Sequence, residues 1–318
     1  MMEVLCFDRG VRRASQAEIR SLVRLKKRLW IDLISPTESE VALLKEAFSL
    51  HPITAEDIVT KNTRVKVEVF ENYMLVVLYG IYKNKNIRLR ETDFVLGKNF
   101  LITSHTQKIE AFDSFKADKK LASISRSGMD FLMHSLVDME VDNFLNVLEQ
   151  FNDVVDKIED RIMKRPDPAI VEKILDLKRR VNRIKKIVVR QQEKISFLAK
   201  NQYALISPEC QTYFRDVHDH FYTVTDMIED YKYALAGSLD AYMYSVANTT
   251  NKVMKLLSIV ATIVLPLTVI SSIYGMNLAF LPGSEAPAGF WVIIGIMLTM
   301  VGIMLTFFKR RGWLRSFP

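Results

Sequence analysis

Alternating steps of three and four residues from Asn251 place Asn251, Met254, Ser258, Ala261, Leu265, Thr268 and Ser272 on one face of a helix. This face is small or polar, with two flexible apolar side chains. The opposite stripe, Val253, Leu256, Val260, Ile263, Leu267 and Ile270, is bulky and aliphatic, as a lipid-facing surface is. Such a polar stripe either lets two helices approach closely, which is its commoner meaning, or lines a path for an ion. A second group of residues has cation chemistry. Residues 209–240 carry seven Asp/Glu and two Lys/Arg, while residues 171–200 carry ten Lys/Arg and three Asp/Glu. Each run alone reads as a solvated helix face; as a pair they look mutually neutralising, with carboxylates to spare for a cation. Nothing points to catalysis. No Walker motif and no HExxH occurs. Cys6 and Cys210 stand far apart without a CxxC or a neighbouring His pair, which excludes a zinc finger and a disulfide scaffold and fits a reducing compartment. The chain is expected to be no enzyme and to carry no organic cofactor.

The elements that position these residues follow from where charge is missing. The 318 residues include 25% charged side chains, yet mean hydropathy is slightly positive at +0.07. Between Lys255 and Lys309 the only charged residue is Glu285. Two uncharged stretches, 256–273 and 289–308, each reach about 30 Å as a helix, enough to cross the hydrocarbon layer once. The loop 274–288 between them holds Gly275, Pro282, Gly283 and Pro287, which break helices. Lys252 and Lys255 precede the first span, and Lys309, Arg310, Arg311 and Arg315 follow the second, so both outer flanks are expected on the cytoplasmic side. A pair of buried core helices is the bland alternative. The first residues, with Arg9, Arg12 and Arg13, contain no apolar run of signal-peptide length, so no cleaved leader is expected. Of the net +7, residues 251–318 supply six Lys/Arg minus Glu285, or +5. The basic balance is thus a topology signal and not a nucleic-acid footprint.

Ahead of the spans, β-branched and aromatic runs predict strands at 3–7, 29–34, 65–82 and 92–104, and helices at 38–50 and 54–60, with Thr54 and Asp57 as a short capping box. From about Gly128 onward helical periods take over. Ile174, Leu177, Val181, Ile184, Val188, Gln191, Ile195 and Leu198 form a coiled-coil-type seam interrupted by one polar residue. A further helix can start at Pro208 and, passing Gly237, run to Ile273, about 100 Å. The expected order is an α+β domain (1–127), a helical and stalk region (128–250), its continuation into the first span (251–273), a loop (274–288), the second span (289–308) and a basic tail (309–318).

Directly after the polar stripe stands Tyr274-Gly275-Met276-Asn277. At the outer end of the first of two C-terminal spans, after Pro266-Leu267-Thr268, it resembles the signature of CorA-type magnesium channels. The resemblance extends to His51-Pro52 with Thr54-Ala55-Glu56-Asp57-Ile58, Lys66-Val67-Glu68 with Phe70 and Tyr73, Leu96-Gly97-Lys98-Asn99-Phe100, Asp138 with Val141-Asp142-Asn143-Phe144, Tyr213-Phe214-Arg215-Asp216-Val217 before His218-Asp219-His220, and the basic end Lys309-Arg310-Arg311 with Trp313-Leu314.

That resemblance implies a homopentameric funnel with an α/β/α-layered N-terminal domain, seated in the plasma membrane with both termini cytoplasmic. The first span lines the pore and passes Mg²⁺, and Co²⁺ or Ni²⁺ as further candidates. Gly275, Met276 and Asn277 form the external filter, in which amide oxygens of Asn277 meet a hydrated ion. Thr268 contacts the ion's waters. Leu265, Ala261, Leu257 and Met254 form an apolar constriction, Asn251 marks the inner mouth, and Glu285 can attract cations from outside. Mg²⁺ is also a regulatory ligand, with Asp216 as the stalk aspartate and Asp219 beside it. The acid expected from the α/β domain is replaced by Lys83-Asn84-Lys85-Asn86, so Asp138 and Asp142 are the substitutes on a neighbouring helix. A transporter of the same architecture preferring Co²⁺, Ni²⁺ or Zn²⁺, and a membrane-anchored interaction protein, remain the alternatives.

Overall fold

The computed structural model describes residues 1–8, 10–61, 64–83, 87–164, 167–276, 282 and 288–316. The N-terminal part is a seven-stranded sheet in the order β2-β1-β3-β7-β6-β5-β4, built from β1 (Met2–Phe7), β2 (Val11–Ala14), β3 (Arg28–Ile34), β4 (Lys66–Val69), β5 (Tyr73–Lys83), β6 (Ile87–Gly97) and β7 (Phe100–His105). Only β3 and β7 pair in parallel, Ile31 opposite Ile102; every other ladder is antiparallel. The helices α1 (Ile19–Arg24), α2 (Glu38–Phe48) and α3 (Pro52–Thr60) share one apolar core with the sheet, including Leu22, Leu44, Ile58, Ile31, Val77 and Ile102. The other face carries α4 (Glu110–Lys116), α5 (Lys120–Ser127) and α6 (Met129–Lys164). There Trp30 meets Phe112 edge to face and Phe115 at a tilt, with ring centroids 6.3 Å apart in both pairs. This is the expected α/β/α layering.

The strand expectations at 65–82 and 92–104 were each one element too few. Residues 70–72 turn the chain between β4 and β5, where the Phe70 N–H donates to the Tyr73 carbonyl at 2.8 Å. Lys98 and Asn99 form a tight hairpin loop between the paired residues Gly97 and Phe100. Helix α2 starts at a reciprocal cap: Thr37 Oγ1 accepts from the Glu40 N–H, and Glu40 Oε2 accepts from the Thr37 N–H at 2.9 Å. Helix α3 does not start with the expected Thr54 box. Its cap is His51, whose Nδ1 accepts from the Ile53 N–H at 3.2 Å ahead of Pro52 at the first helical position. Thr54 is buried and bonded instead to the Tyr73 hydroxyl at 2.8 Å. The short elements β2, α1, α4 and α5 have no counterpart in the sequence expectations, because pieces of four to eight residues carry too few periods to register.

Three buried ion pairs tie the layers together. Lys61, just past α3, reaches Asp93 on β6. Lys116 of α4 reaches Asp32 on β3 at 2.6 Å, and Arg90 on β6 reaches Glu140 of α6 at 2.9 Å. Pairs of this kind add little net stability, but losing one partner strands a buried charge, so they fix which helix lies on which strand.

Helices α7 (Pro168–Lys200) and α8 (Pro208–Tyr274) follow, α8 being one helix of 67 residues through Gly237 and Pro266. The α7 seam is buried at Ile174, Val181, Ile184, Val188, Gln191, Ile195 and Leu198. Its polar interruption has a cause: β5 runs on past the end of β4, exposing a strand edge, and Gln191 Oε1 accepts from the Tyr79 N–H there while Asn143 of α6 donates to the Ile81 carbonyl. The expected neutralisation of α7 by α8 is slight; among the described residues one ion pair joins them, Lys185 with Glu229. By contacts the chain falls into two units, Met1–Asp160 with Ala169–Ser238, and Arg161–Pro168 with Leu239–Pro318. The second contains the end of α8 and α9 (Gly289–Arg310).

Gly80 on β5 shows how closely α6 lies on the sheet. A Cβ there would sit 2.0 Å from Glu140 Oε2. That carboxylate cannot swing away, since Arg90 holds both its oxygens, at 2.9 and 3.1 Å, and Thr92 donates to it at 3.2 Å. Gly80→Ala is expected to destabilise the full-length chain by about 1–3 kcal/mol, as overpacking does. A thermal melt of the detergent-solubilised protein checks this; an unchanged midpoint would show that the carboxylate relaxes freely.

Candidate functional site

In the second unit, the polar stripe is fully displayed. Asn251, Met254, Leu257, Ser258, Ala261, Leu265, Thr268 and Ser272 are all exposed on α8, Leu265 at 66%. The residues that lose exposure, Ile259, Ile263, Leu267 and Ile270, recur at three- and four-residue steps on the aliphatic side. In α9 the corresponding set is Ile293, Met297, Val301, Met304 and Phe308. So the aliphatic stripe of the first span is partly covered within this unit and is not wholly a lipid face, whereas the polar stripe has no cover among the described residues. Within the span of α8 the hydroxyls of Thr262 and Thr268 bond back to carbonyls one turn earlier, Thr262 to Ser258 at 2.7 Å and Thr268 to Val264 at 3.0 Å. The Thr268 proton is thereby spent, which leaves its oxygen lone pairs to accept hydrogen bonds from water.

At Tyr274 the helix stops. The Gly275 N–H donates to the Ser271 carbonyl at 2.9 Å and the Met276 N–H to Ile273 at 3.3 Å, and Met276 is 52% exposed. Asn277, Glu285 and the loop stretch Leu281, Gly283 and Ser284 lie outside the described residues, as do Asn84, Lys85 and Asn86. The other end of the hairpin is ordered by aromatic packing: Phe308 is buried and stacks on Trp313 at 5.6 Å, and Arg311 lies over the Phe307 ring at 5.6 Å. Lys309 and Arg310 occupy the last turn of α9, where positive charge complements the helix dipole, and Gly312 turns the chain with φ +72°.

In the first unit, α6 and α8 bring acids together. Asp138, Asp142 and His220 each offer a ligand atom, all within 4.8 Å of one another. His220 Nδ1 stands 3.4 Å from Asp138 Oδ1, and its Nε2 stands 4.0 Å from Asp216 Oδ2. Asp138 Oδ1 and His220 Nδ1, both buried atoms, thus face each other without a well-aligned hydrogen bond. Burial raises the Asp142 carboxyl above its ordinary range, reinforced by Asp138. One turn away, burial holds His134 neutral-leaning, below the usual imidazole value, where its ring meets Tyr213 at 5.4 Å and Phe214 at 5.5 Å. Asp138 and Asp142 thus lie beside His220, and Asp216, 67% exposed, stands 4.0 Å from the far nitrogen of the same ring. Asp219 is not among them; it is 80% exposed and pairs with His218 Nδ1 at 3.2 Å. His220 was missed as a donor. Its signal was the i, i+4 spacing from Asp216, matching Asp138 and Asp142 on the facing helix.

Two long uncharged helices after a layered α/β domain and long charged helices define a protein with two C-terminal membrane-spanning segments. The chain belongs to the family described as CorA-like Mg2+ transporter protein, whose profile matches residues 26–310. It is 34% identical over 291 residues to the cobalt/magnesium transport protein CorA of Thermotoga maritima, covering 90% of this chain and 83% of that relative. To the cobalt/magnesium transport protein CorA of Methanocaldococcus jannaschii it is 24% identical, covering 90% and 91%. The fold matches the complete structure of the CorA magnesium transporter from M. jannaschii with a TM-score of 0.83 at 21% identity over 98% of both chains. It also matches the full-length CmaX protein with a TM-score of 0.75 at 18% identity, over 97% and 96%.

Carboxylates suit Mg²⁺, whereas an imidazole suits Co²⁺, Ni²⁺ and Zn²⁺. His220→Ala is therefore expected to weaken Co²⁺ binding to the full-length protein about tenfold while changing Mg²⁺ binding by less than about threefold. Calorimetric titration with each chloride salt decides it, and an unchanged Co²⁺ affinity would remove His220 from the donor set.

Proposed function

We propose that the chain is the subunit of a homopentameric channel that admits Mg²⁺ into the cell down its electrochemical gradient and is closed by cytosolic Mg²⁺. The observation that carries this reading is the polar stripe from Asn251 to Ser272, uncovered among the described residues and ending at the Gly275 turn. Two spans cannot enclose a pore, so a ring of copies must, with α8 innermost. Relatives named as cobalt/magnesium transporters support the cation class.

Along that path the roles differ by chemistry. Mg²⁺ sheds water reluctantly, so a filter of Asn277 amide oxygens, presented by the Gly275-Met276 turn, receives the hydrated ion by accepting hydrogen bonds from its waters. Thr268 offers the next such acceptor, Leu265, Ala261, Leu257 and Met254 form a constriction that closes by dewetting, and Asn251 stands at the inner mouth. Glu285 attracts cations at the outer mouth. Lys309, Arg310 and Arg311 hold the inner flank in the cytoplasm, placing both termini there in the plasma membrane. No ATP is needed, because a divalent ion gains about 4.6 kcal/mol per 100 mV on entering a negative interior.

Regulation falls to the cluster on α6 and α8. Cation binding at Asp138, Asp142 and Asp216 removes the repulsion among these acids and favours the closed ring. The imidazole of His220 supports a second reading, in which Co²⁺ or Ni²⁺ also occupies the cluster and passes through the pore. Asn277→Ala is expected to abolish Mg²⁺ flux into proteoliposomes with the oligomer intact by size-exclusion chromatography. Wild-type flux in that variant would remove the filter assignment. Asp216→Ala is expected to shift closure to higher internal Mg²⁺; superimposable inhibition curves would take Asp216 out of the sensor.

A further inference from the structure

We propose that the cleft between α7 and the start of β6 binds a nucleoside polyphosphate, a property separate from transport and measurable without ion flux. The cleft has a volume of about 530 Å³. Four arginines line it, Arg88 from β6 and Arg179, Arg180 and Arg183 from successive turns of α7, against one carboxylate, Asp176. That carboxylate is already engaged, accepting from Arg180 Nε at 2.7 Å. Among the described residues Arg88, Arg179 and Arg183 take part in no ion pair. Residues 179, 180 and 183 share one helix face, where like charges repel, and Arg88 arrives on that face from a separate element. A surface helix has no need to concentrate guanidinium groups on a concave wall. A polyanion gives them a purpose, because the planar fork of arginine binds phosphate oxygens two at a time.

The apolar half of the ligand is read from the adjoining volume. A pocket of about 260 Å³ shares Ile87, Asp176, Arg180 and Ile184 with the arginine cleft. Its deeper wall is apolar, with Val147, Phe151, Leu177 and Ile228. A bare phosphate would occupy the first volume only, and an apolar solute the second only. A purine nucleoside carrying a di- or triphosphate spans both, with its base among the aliphatic side chains and its phosphates on the arginines. The two volumes together fall in the range of small-ligand sites.

The test is calorimetric titration of the full-length protein in detergent, at about 0.15 M salt with EDTA present, using ATP, tripolyphosphate and adenosine as probes. ATP is expected to bind at least about tenfold more tightly than either fragment, and the double variant Arg179→Gln with Arg183→Gln to lose at least about tenfold in ATP affinity at an unchanged melting temperature. If that variant proves misfolded, Arg88→Gln on the other wall replaces it, with the same expected direction. Absence of ATP binding, or wild-type affinity in the folded variant, overturns the site. Tripolyphosphate binding as tightly as ATP overturns the nucleoside assignment.

Discussion

An apolar helix surface that its own chain does not cover has to be covered by something else. In α8 beyond Asn251 and in α9, most described side chains are exposed, including Leu257, Leu265, Trp291 and Leu298. At about 25 cal/mol per Å² of apolar area, leaving such helices in water is prohibitive, so lipid or another protein surface must supply the missing contacts. A helix is the one open-ended segment that can enter lipid at all, since it satisfies its backbone groups internally. Pro266 is tolerable for the same reason it is informative: it frees one carbonyl in the middle of a span, which only a neighbouring helix, a hydroxyl or water can then satisfy.

The α/β part answers a different requirement, that of holding long helices in a defined register against a sheet. Apolar packing alone permits sliding. The pairs Lys116–Asp32 and Arg90–Glu140, and the edge caps from Gln191 and Asn143, each permit one position only. The absence of a side chain at Gly80 lets Glu140 reach its partner. Through these contacts α6 and α7 are located to within one residue, and so is the face on which Asp138 and Asp142 meet His220.

Much of this was legible in the sequence wherever a signal repeats over many residues. The uncharged spans, the α7 seam and the expected reach from Pro208 to Ile273 repeat a helical period many times; the seam falls inside α7, and the expected bounds of that reach and of the second span lie within two residues of α8 and α9. Strands were found but not counted, because alternation continues through two-residue turns such as Lys98-Asn99 and leaves no gap in the pattern. Thr54 was misjudged because a cap depends on backbone angles while its hydroxyl was claimed by Tyr73, nineteen residues away in the chain and adjacent only in the fold. His220 escaped for a similar reason: a donor set assembled from two helices is a property of their facing, which local spacing constrains but does not determine. Gln191 looked like a flaw in a coiled-coil seam, and only the sheet edge explains it.

The donor chemistry of the two cation-facing regions differs in a way that the proposed function requires. Along the span there is no carboxylate, imidazole or thiol between Lys255 and Tyr274. The polar side chains there are hydroxyls set among aliphatic groups, which would bind a hydrated ion weakly and let it leave. The α6–α8 cluster has the opposite character, with two carboxylates and an imidazole within one ligand sphere and a further carboxylate 4.0 Å from the ring. Conduction needs binding weak enough to release the ion, whereas sensing needs binding strong enough to hold a population shift. A carboxylate moved into the span would hold a cation tightly, and removing one from the cluster would weaken cation binding there. The segregation of charge along this chain, none in the spans and clustered acids on α8 upstream of them, therefore separates weak from strong cation contacts, as the proposed function requires.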